Sequence, residues 1–421
     1  MKETIIIKNF AGIQYLKIDL SAVNVIIGPQ ASGKSVTVKL LYFFKSFFQE
    51  IFKSVDLGET KRDLDRRQVE KFNNYFPKEA WPKNGFSIHY IINNSHIIIN
   101  KDSTSPLSFD YSENIKELLK KCKKFYNAER KKVEQDPKVP VVRVSRNANE
   151  KYIECVQSEI SQFASFNQLF IPAGRSFYAN VQSGIFSFLS DNKSLDPFLI
   201  EFGAFYENFK RISYNEFNQL SQKKKLEAFD ELISSILNGR YSREKEKDYL
   251  VHLDNRKVNL SNASSGQQET LPLLIILKTL SMIRFSGKGA TLYIEEPEAH
   301  LFPTAQKKIV QLLARVFNLR DYGFQIIITT HSPYILAAFN NLIQAGKLKD
   351  NQEINNNDLF EIIPEQEIIS PDCILAYSMK NGEIEILIDN STQLISQNIL
   401  DSVSDEIAIE FGQLLDLEFG T

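Results

Sequence analysis

The 421-residue sequence predicts an α/β fold in which a mixed or parallel sheet with flanking helices carries a mainly helical insertion. Three short apolar runs, at 23–27, 291–295 and 325–330, each lead directly into a polar turn. Buried parallel strands that feed loops at their carboxyl ends have this form. Ligands of doubly wound sheets bind at those ends, so a site is expected where the three turns meet.

The apolar runs come from both ends of the chain, which indicates how the chain is divided. We expect a head built from residues 1–53 and 245–421, with residues 54–244 inserted as a β-hairpin and helical arm. The elements expected before residue 245 are strands at 4–7 and 23–27, a helix at 34–53, a loop or short helices at 55–80, a hairpin at 86–100 turning at Asn93-Asn94, a charged helix at 113–135, a strand at 169–174 and helical segments between 176 and 238. Those expected after it are strands beginning at 249 and 257, a helix at 267–284, a strand at 292–295, a helix at 303–319, a strand at 325–330, a helix at 333–346, strands at 373–378 and 383–388 and a helix at 402–417.

Composition excludes several classes of protein. A formal net charge of −2 rules out a polybasic nucleic-acid coat, so any nucleic-acid binding requires a local patch. Three widely spaced cysteines give neither a disulfide framework nor a zinc spacing. The N-terminus lacks the apolar core of a signal peptide, and Lys278 and Arg284 interrupt the most apolar long stretch. We therefore expect a cytoplasmic protein without a membrane span.

The first turn is a phosphate-binding loop. It consists of Gly28, Pro29, Gln30, Ala31, Ser32, Gly33, Lys34 and Ser35, which match the pattern G-x-x-x-x-G-K-[ST]. The glycines let backbone N–H groups turn inward, and the following helix directs its positive end at the phosphates. Lys34 is expected to contact the β- and γ-phosphates and Ser35 to bind Mg²⁺. An accidental glycine-rich turn is the alternative, but the strand before it and the helix after it favour ATP or GTP binding.

The second turn carries two adjacent carboxylates in the run LYIEEPE. Glu295, at the strand end, is expected to hold Mg²⁺, and Glu296 to polarise the attacking water. Taken alone, the run is more typical of a buried strand that ends in a solvated acidic turn, and the phosphate-binding loop favours the metal-binding role. The position expected to bind the metal is more often Asp, and Glu is one methylene longer.

A polar turn opens the apolar helix that precedes this strand. Ser264, Ser265, Gly266 and Gln267 form it, and by itself the pattern indicates a capping box with Ser265 as N-cap and Gln268 at N3. The third turn, TTHSP, places His331 directly after an apolar strand. An ordinary turn histidine is the alternative there.

In chain order, the phosphate-binding loop, the SSGQQ turn, the strand ending EEPEAHLFP and the strand ending TTHSP resemble the ABC-type ATPase superfamily. They resemble in particular its non-transporter branch of RecF, SMC and OLD (overcoming lysogenization defect) ATPases. The opening IKNFAGIQYLKIDLSAVNVIIGPQASGKS is similar to that branch as well. Gln30 stands where the branch often has Asn. The resemblance covers the N-terminal segment and the stretch from Ser264 to Pro333. It implies an ABC-ATPase head that hydrolyses ATP with Mg²⁺.

The resemblance also implies roles for individual residues. Ser264 and Gly266, with their neighbours in the turn, match the signature that caps the γ-phosphate of an ATP bound to the other subunit. Glu296 matches the catalytic glutamate, and His331 matches the switch histidine that contacts the γ-phosphate and the water. Arg175 resembles an arginine of OLD-like ATPases, which implies a place in the nucleotide site. Since one signature cannot reach its own phosphate loop in this family, a head-to-tail homodimer or a higher even oligomer is implied.

The partner is left open by the residues. OLD-type nucleases carry a TOPRIM domain, and we find no acidic metal cluster of that kind after His331. Stand-alone ATPases of this type pair with a separate effector, often a nuclease, in bacterial phage defence, which implies a sensor or scaffold role. A DNA-repair ATPase that clamps DNA directly, in the RecF manner, is the alternative, and a transporter motor is a weaker third. The charged helix at 113–135 carries lysines that form either a phosphate-contacting face or, with interspersed glutamates, a solvated face.

Overall fold

The computed structural model describes residues 2–135, 140, 142–180, 196–216, 223–244, 247–282, 289–319, 323–351, 353–396 and 409–414. Within them the chain forms three sheets with flanking helices, so the predicted α/β class is confirmed. The helix expected at 402–417 lies largely outside the described residues.

A six-stranded central sheet organises the head. Its strands are β3 (Val23–Ile27), β7 (Asn167–Ile171), β11 (Gly289–Glu295), β12 (Gly323–Thr330), β13 (Ile374–Lys380) and β14 (Glu383–Ile386), in the order β14-β13-β3-β12-β11-β7. All neighbours are parallel except β13 and β14. The register pairs Ile27 with Thr330 and Glu295 with Thr329. The carboxyl ends of β3, β11 and β12 are therefore level, and their turns meet at one edge of the sheet.

Two smaller antiparallel sheets complete the strands. The five-stranded sheet has the order β2-β1-β4-β5-β6 and contains β1 (Glu3–Phe10), β2 (Ile13–Asp19), β4 (Phe86–Ile92), β5 (Ser95–Lys101) and β6 (Ser108–Tyr111). The three-stranded sheet contains β8 (Arg240–Glu244), β9 (Lys247–Val251) and β10 (Lys257–Asn259). The hairpin predicted to turn at Asn93-Asn94 is β4–β5.

The described helices flank the sheets. They are α1 (Lys34–Asp56), α2 (Lys61–Tyr75), α3 (Glu113–Gln135), α4 (Val142–Glu159), α5 (Phe177–Asn180), α6 (Pro197–Glu216), α7 (Lys223–Leu237), α8 (Ser265–Leu280), α9 (Pro303–Phe317), α10 (Pro333–Lys349) and α11 (Asn356–Ile362). Helix α2 has a Thr60 capping box and 15 residues, where only a loop or short helices were predicted.

Helix α1 lies between the central and the five-stranded sheets, which explains its broad apolar surface. Phe44 stacks on Tyr90 of β4, with ring centroids 5.8 Å apart, and Phe47 packs against Tyr111 of β6 at 5.1 Å. From the same helix, Tyr42 meets Tyr293 of β11 edge-on at 5.5 Å. Burial of these large rings on two sides fixes the helix that follows the phosphate-binding loop.

The segment 54–244 contributes strands to both large sheets. Strand β4 pairs with β1, and β7 pairs with β11 at the edge of the central sheet. Both pairings join residues far apart in sequence, which strand periodicity alone does not indicate. The proposed limits of the insertion separate segments of the sequence. Both large sheets, however, contain strands from inside and from outside these limits.

A buried polar cluster joins the two large sheets through α1. Lys45 Nζ lies 2.6 Å from both Glu3 Oε1 and Gln325 Oε1, and the Lys45 and Glu3 side chains are 0% exposed. Tyr90 donates its hydroxyl to Glu3 at 2.7 Å, and Gln325 Nε2 donates to the other Glu3 oxygen at 2.9 Å. Lys45, in the middle of α1, thus connects β1 and β12 directly. Strand β4 joins the cluster through the bond from Tyr90 to Glu3.

Among the described residues, none of the helices combines the length and the apolar character needed to cross a lipid bilayer.

Candidate functional site

The phosphate-binding loop connects β3 to α1 at the edge where the strand ends are level. Gly33 is the N-cap of α1, so no side chain caps the first-turn N–H groups, and no acidic residue occupies that turn. A Cβ on Gly28 would lie 2.0 Å from the carbonyl oxygen of Met379 in β13, so only glycine fits there. Pro29, Gln30 and Ala31 are exposed at the rim. The open N–H groups and the helix end suit the binding of phosphate.

Lys34 reaches back over this loop. Its Nζ donates to the carbonyl oxygens of Gly28 and Pro29, both at 2.8 Å, and lies 3.4 Å from Ser32 Oγ. Burial lowers the pKa of Lys34, while the carboxylates of Glu296 and Glu298 act in the opposite direction. The ammonium group is therefore held by the loop, within electrostatic reach of the carboxylates after β11.

The two residues predicted to bind magnesium are in contact. Ser35 donates its hydroxyl to Glu295 Oε1, and the backbone N–H of Ala173 donates to Glu295 Oε2 at 3.2 Å. A hydroxyl and a carboxylate side by side are hard oxygen ligands of the kind that Mg²⁺ prefers. The donor set thus fits a magnesium ion bound next to the phosphates of a nucleotide.

Glu296 and His331 face each other across the ends of β11 and β12. Glu296 Oε1 lies 3.5 Å from His331 Nε2, and the two side chains are 41% and 34% exposed. Glu296 adopts a φ of 45°, in the left-handed region, and its N–H donates to the carbonyl of Thr329 at 2.9 Å. The strained backbone turns this carboxylate out of the sheet toward the histidine.

Glu298 is a site residue that the sequence did not reveal. Its Oε1 accepts the N–H of His331 at 2.7 Å and the Thr330 hydroxyl at 2.8 Å, and the residue is 8% exposed. It thereby fixes the turn that carries His331. In the sequence, Glu298 is visible only as the third carboxylate of the EEPE run. Its partner His331 lies 33 residues away, so the contact could not be predicted from the run.

The signature turn begins α8, and its cap differs from the prediction. Ser264, and not Ser265, is the N-cap, and it forms the capping box with Gln267 in place of Gln268. The N-cap lies one residue earlier than predicted, so Gln268 is the fourth residue of the helix and not the third. Its side-chain amide donates to the carbonyl oxygens of Leu260, Ser261 and Ala263. Ser264 and Ser265 are exposed. Among the described residues, no hydrogen bond joins this turn to residues 28–35.

Arg175 lies within the site region, but its guanidinium binds the protein itself. The side chain is buried at 0% exposure and donates to the carbonyl oxygens of Pro172, Glu269, Glu295 and Glu296. In this arrangement the guanidinium contacts the backbone that carries the two glutamates, and its expected place in the nucleotide site stays a prediction. Sequence spacing could not show this, because the bonded carbonyls are up to 121 residues away.

The basic residues of α3 are mostly matched by acidic ones. Lys120, Lys121, Arg130 and Lys132 form ion pairs with Glu117, Glu159, Glu134 and Glu129. Exposed pairs of this kind lower the local positive potential, so the helix presents a mixed face to solvent.

Three solved structures align with most of the chain at low sequence identity. The SMC head domain from Thermotoga maritima is 15% identical, with a TM-score of 0.35, over 91% of this chain and 97% of that chain. An Smc head domain with an extended coiled coil, bound to the C-terminal domain of ScpA and derived from Pyrococcus furiosus, is 12% identical, with a TM-score of 0.37, over 97% and 99%. The recombination mediator protein RecF-ATPrS is 11% identical, with a TM-score of 0.30, over 92% and 98%. These similarities are too weak to indicate a function.

A search of curated proteins gave no match. The family model described as AAA ATPase domain, in contrast, matches residues 1–336. That range includes the phosphate-binding loop, both carboxylates after β11, the signature turn and His331. The chain therefore belongs to the AAA ATPase domain family and is an ATPase.

Proposed function

We propose that two copies of this chain close head to tail around two ATP molecules, and that this closure acts as a sensor or scaffold for a separate effector, a nuclease or toxin, in bacterial phage defence. The observation that supports the dimer is the exposed turn at Ser264 and Ser265, which has no hydrogen bond to its own phosphate-binding loop within the described residues. An exposed helix N-terminus is suited to the γ-phosphate of a nucleotide held by another copy.

The residues of one copy divide the reaction among them. The N–H groups of residues 28–35 and Lys34 would bind the phosphates of ATP, and Ser35 with Glu295 would hold Mg²⁺. When bound, the ion neutralises charge on the phosphate oxygens. Glu296 would take a proton from the attacking water, and His331, fixed through Glu298, would orient the water and the terminal phosphate.

The proposed composite site consists of the phosphate-binding loop of one copy and the signature turn of the other. It is tested by mixing two inactive variants. Lys34→Ala removes the cation on the phosphates, so we expect the loss of ATP binding; Ser264→Arg blocks the signature and should spare binding. Neither is expected to hydrolyse ATP alone. In a mixed dimer, the intact loop of one copy meets the intact signature of the other, so mixing should restore up to about a quarter of wild-type turnover.

Phosphate release from each variant and from the mixture measures this restoration. Lys39→Ala is the matched control, because Lys39 lies one turn later in α1, where it pairs with Asp196 at 2.6 Å. It should behave as wild type. A Ser264→Arg protein with normal turnover, or a mixture as inactive as its parts, contradicts the composite site.

Substitutions on α3 test the alternative function, direct DNA binding in the RecF manner. Lys124 and Lys131 are exposed on this helix. We expect the double reversal to Glu to leave ATP turnover and the salt dependence of any DNA binding unchanged, because this face has mixed charge. If the helix contacts phosphates, the slope of log affinity against log salt should instead fall by about one per lost contact. Fluorescence anisotropy with a DNA duplex over a salt series decides between the two.

A further inference from the structure

Arg175 joins three segments of the chain that approach the site from different directions. One guanidinium nitrogen donates to Glu295 O at 2.7 Å and Pro172 O at 2.8 Å, and the other donates to Glu296 O at 3.0 Å. Its Nε donates to Glu269 O, in α8, at 3.1 Å. The planar fork of an arginine satisfies this set of carbonyls, and a lysine ammonium cannot.

Glu269 binds the same turn from the other side. Its two carboxylate oxygens accept the N–H groups of Arg175 and Ser176, each at 2.8 Å, and Arg175 Nε lies 3.5 Å from Glu269 Oε1. The residue is 2% exposed. Two buried and opposite charges, each also bonded to backbone, form a rigid connection, because breaking either leaves a buried group without its partner.

A second contact links α8 to the loop after Glu296. A Cβ on Gly266 would lie 2.7 Å from the carbonyl oxygen of His300, which has a left-handed φ of 58°. The start of α8 therefore rests directly on the 296–300 loop. Together with Arg175, this contact joins the signature turn to the catalytic carboxylate at two points within one copy.

We propose that the Arg175–Glu269 pair is a positioning device that couples the two ATP sites of the dimer. The inference rests on the proposed head-to-tail dimer, in which the signature turn of a copy contacts its partner's ATP while Glu296 acts on the copy's own ATP. When the turn engages the partner's nucleotide, α8 transmits the displacement through Arg175 to the carbonyls of Glu295 and Glu296. Closure of one site therefore accelerates turnover at the other, while a single closed site keeps a slower rate.

The variants Arg175→Lys and Glu269→Gln test this coupling. We expect the affinity for a fluorescent ATP analogue and the KM for ATP to stay within about threefold of wild type, and kcat to fall by about tenfold or more. The Hill coefficient of the wild type for ATP should exceed 1, and both variants should bring it to about 1. A role limited to stability would not change the Hill coefficient.

Arg315→Lys is the matched control. Arg315 donates to the fully buried Glu367 at 2.8 Å, so it represents a largely buried arginine–glutamate pair without the connection to the site. It should lower the thermal midpoint and leave kcat and the Hill coefficient unchanged. If Arg175→Lys does not fold, as judged by circular dichroism, Glu269→Gln provides the same test with the arginine in place.

Three outcomes overturn the inference: loss of ATP binding on substitution of Arg175, which indicates direct nucleotide contact; unchanged kcat and Hill coefficient in both variants; or a wild-type Hill coefficient of 1. Failure of the proposed dimer is distinguished by a separate measurement. If no dimer forms, the Glu296→Gln protein, which keeps Arg175, stays monomeric with ATP in size-exclusion chromatography with light scattering.

Discussion

Glu296→Gln is expected to reduce ATP turnover by about 10²- to 10⁴-fold, the range usually lost with a general base. The amide cannot accept the proton of the attacking water, yet it keeps the size of the side chain. ATP and Mg²⁺ binding should remain, because the loop, Ser35 and Glu295 are unchanged. Since hydrolysis is what opens the proposed dimer, the variant should accumulate as an ATP-bound dimer.

Two measurements check this expectation: phosphate release for turnover, and light scattering with and without ATP for mass. Glu361→Gln is a suitable control, because Glu361 is an exposed carboxylate of α11. It should match wild type in both assays. Turnover at the wild-type rate in Glu296→Gln would remove Glu296 from the chemistry and leave Glu295 as the carboxylate to examine.

Lys45→Met is expected to lower the free energy of unfolding by about 3–5 kcal/mol, the usual cost of removing one partner of a buried ion pair. The change leaves the Glu3 carboxylate without its cationic partner, in a place where both side chains are 0% exposed. It also removes the donor to Gln325 Oε1. The substituted methionine fills a similar volume, so the loss reflects the unpaired carboxylate and not a cavity.

Denaturant unfolding of the single and double variants measures this cost. Adding Glu3→Gln to Lys45→Met neutralises the remaining charge, so the double variant should be more stable than the sum of the two single changes predicts. Lys53→Met, at an exposed position of the same helix, is expected to change stability by about 0.5 kcal/mol or less. Equal losses in Lys45→Met and Lys53→Met would contradict the ion-pair account.

The contiguous parts of the site were predictable, and the parts that depend on distant contacts were not. A glycine-rich turn between strand and helix carries its own geometry, so residues 28–35 could be identified from sequence alone. The contact of Ser35 with Glu295 follows because parallel strands end at one edge of the sheet. Arg175 and its partner Glu269 are 94 residues apart in the sequence, and no local pattern indicates such a pairing.

The sheets show the same division. Strands with strong β-branched runs, such as β3 and β12, were predicted close to their observed positions. Strand β2 was not identified, since only Ile13, Leu16 and Ile18 are buried and its sequence, IQYLKID, mixes charged with apolar residues. The association of β4 with β1 depends on a register between distant residues, which burial decides only once the chain is folded.

The contact between Gly28 and Met379 has a consequence for synthesis on the ribosome. Strand β3 emerges early, but its neighbours in the central sheet, β12 and β13, are made some 300 and 350 residues later, at Gly323–Thr330 and Ile374–Lys380. Chains grow from the N-terminus, and contacts between distant segments form slowly. The nascent phosphate-binding loop therefore lacks both flanking strands until Lys380 has been made. We therefore expect nucleotide binding to be delayed until Glu296 and His331, the residues proposed to act in hydrolysis, have also been made.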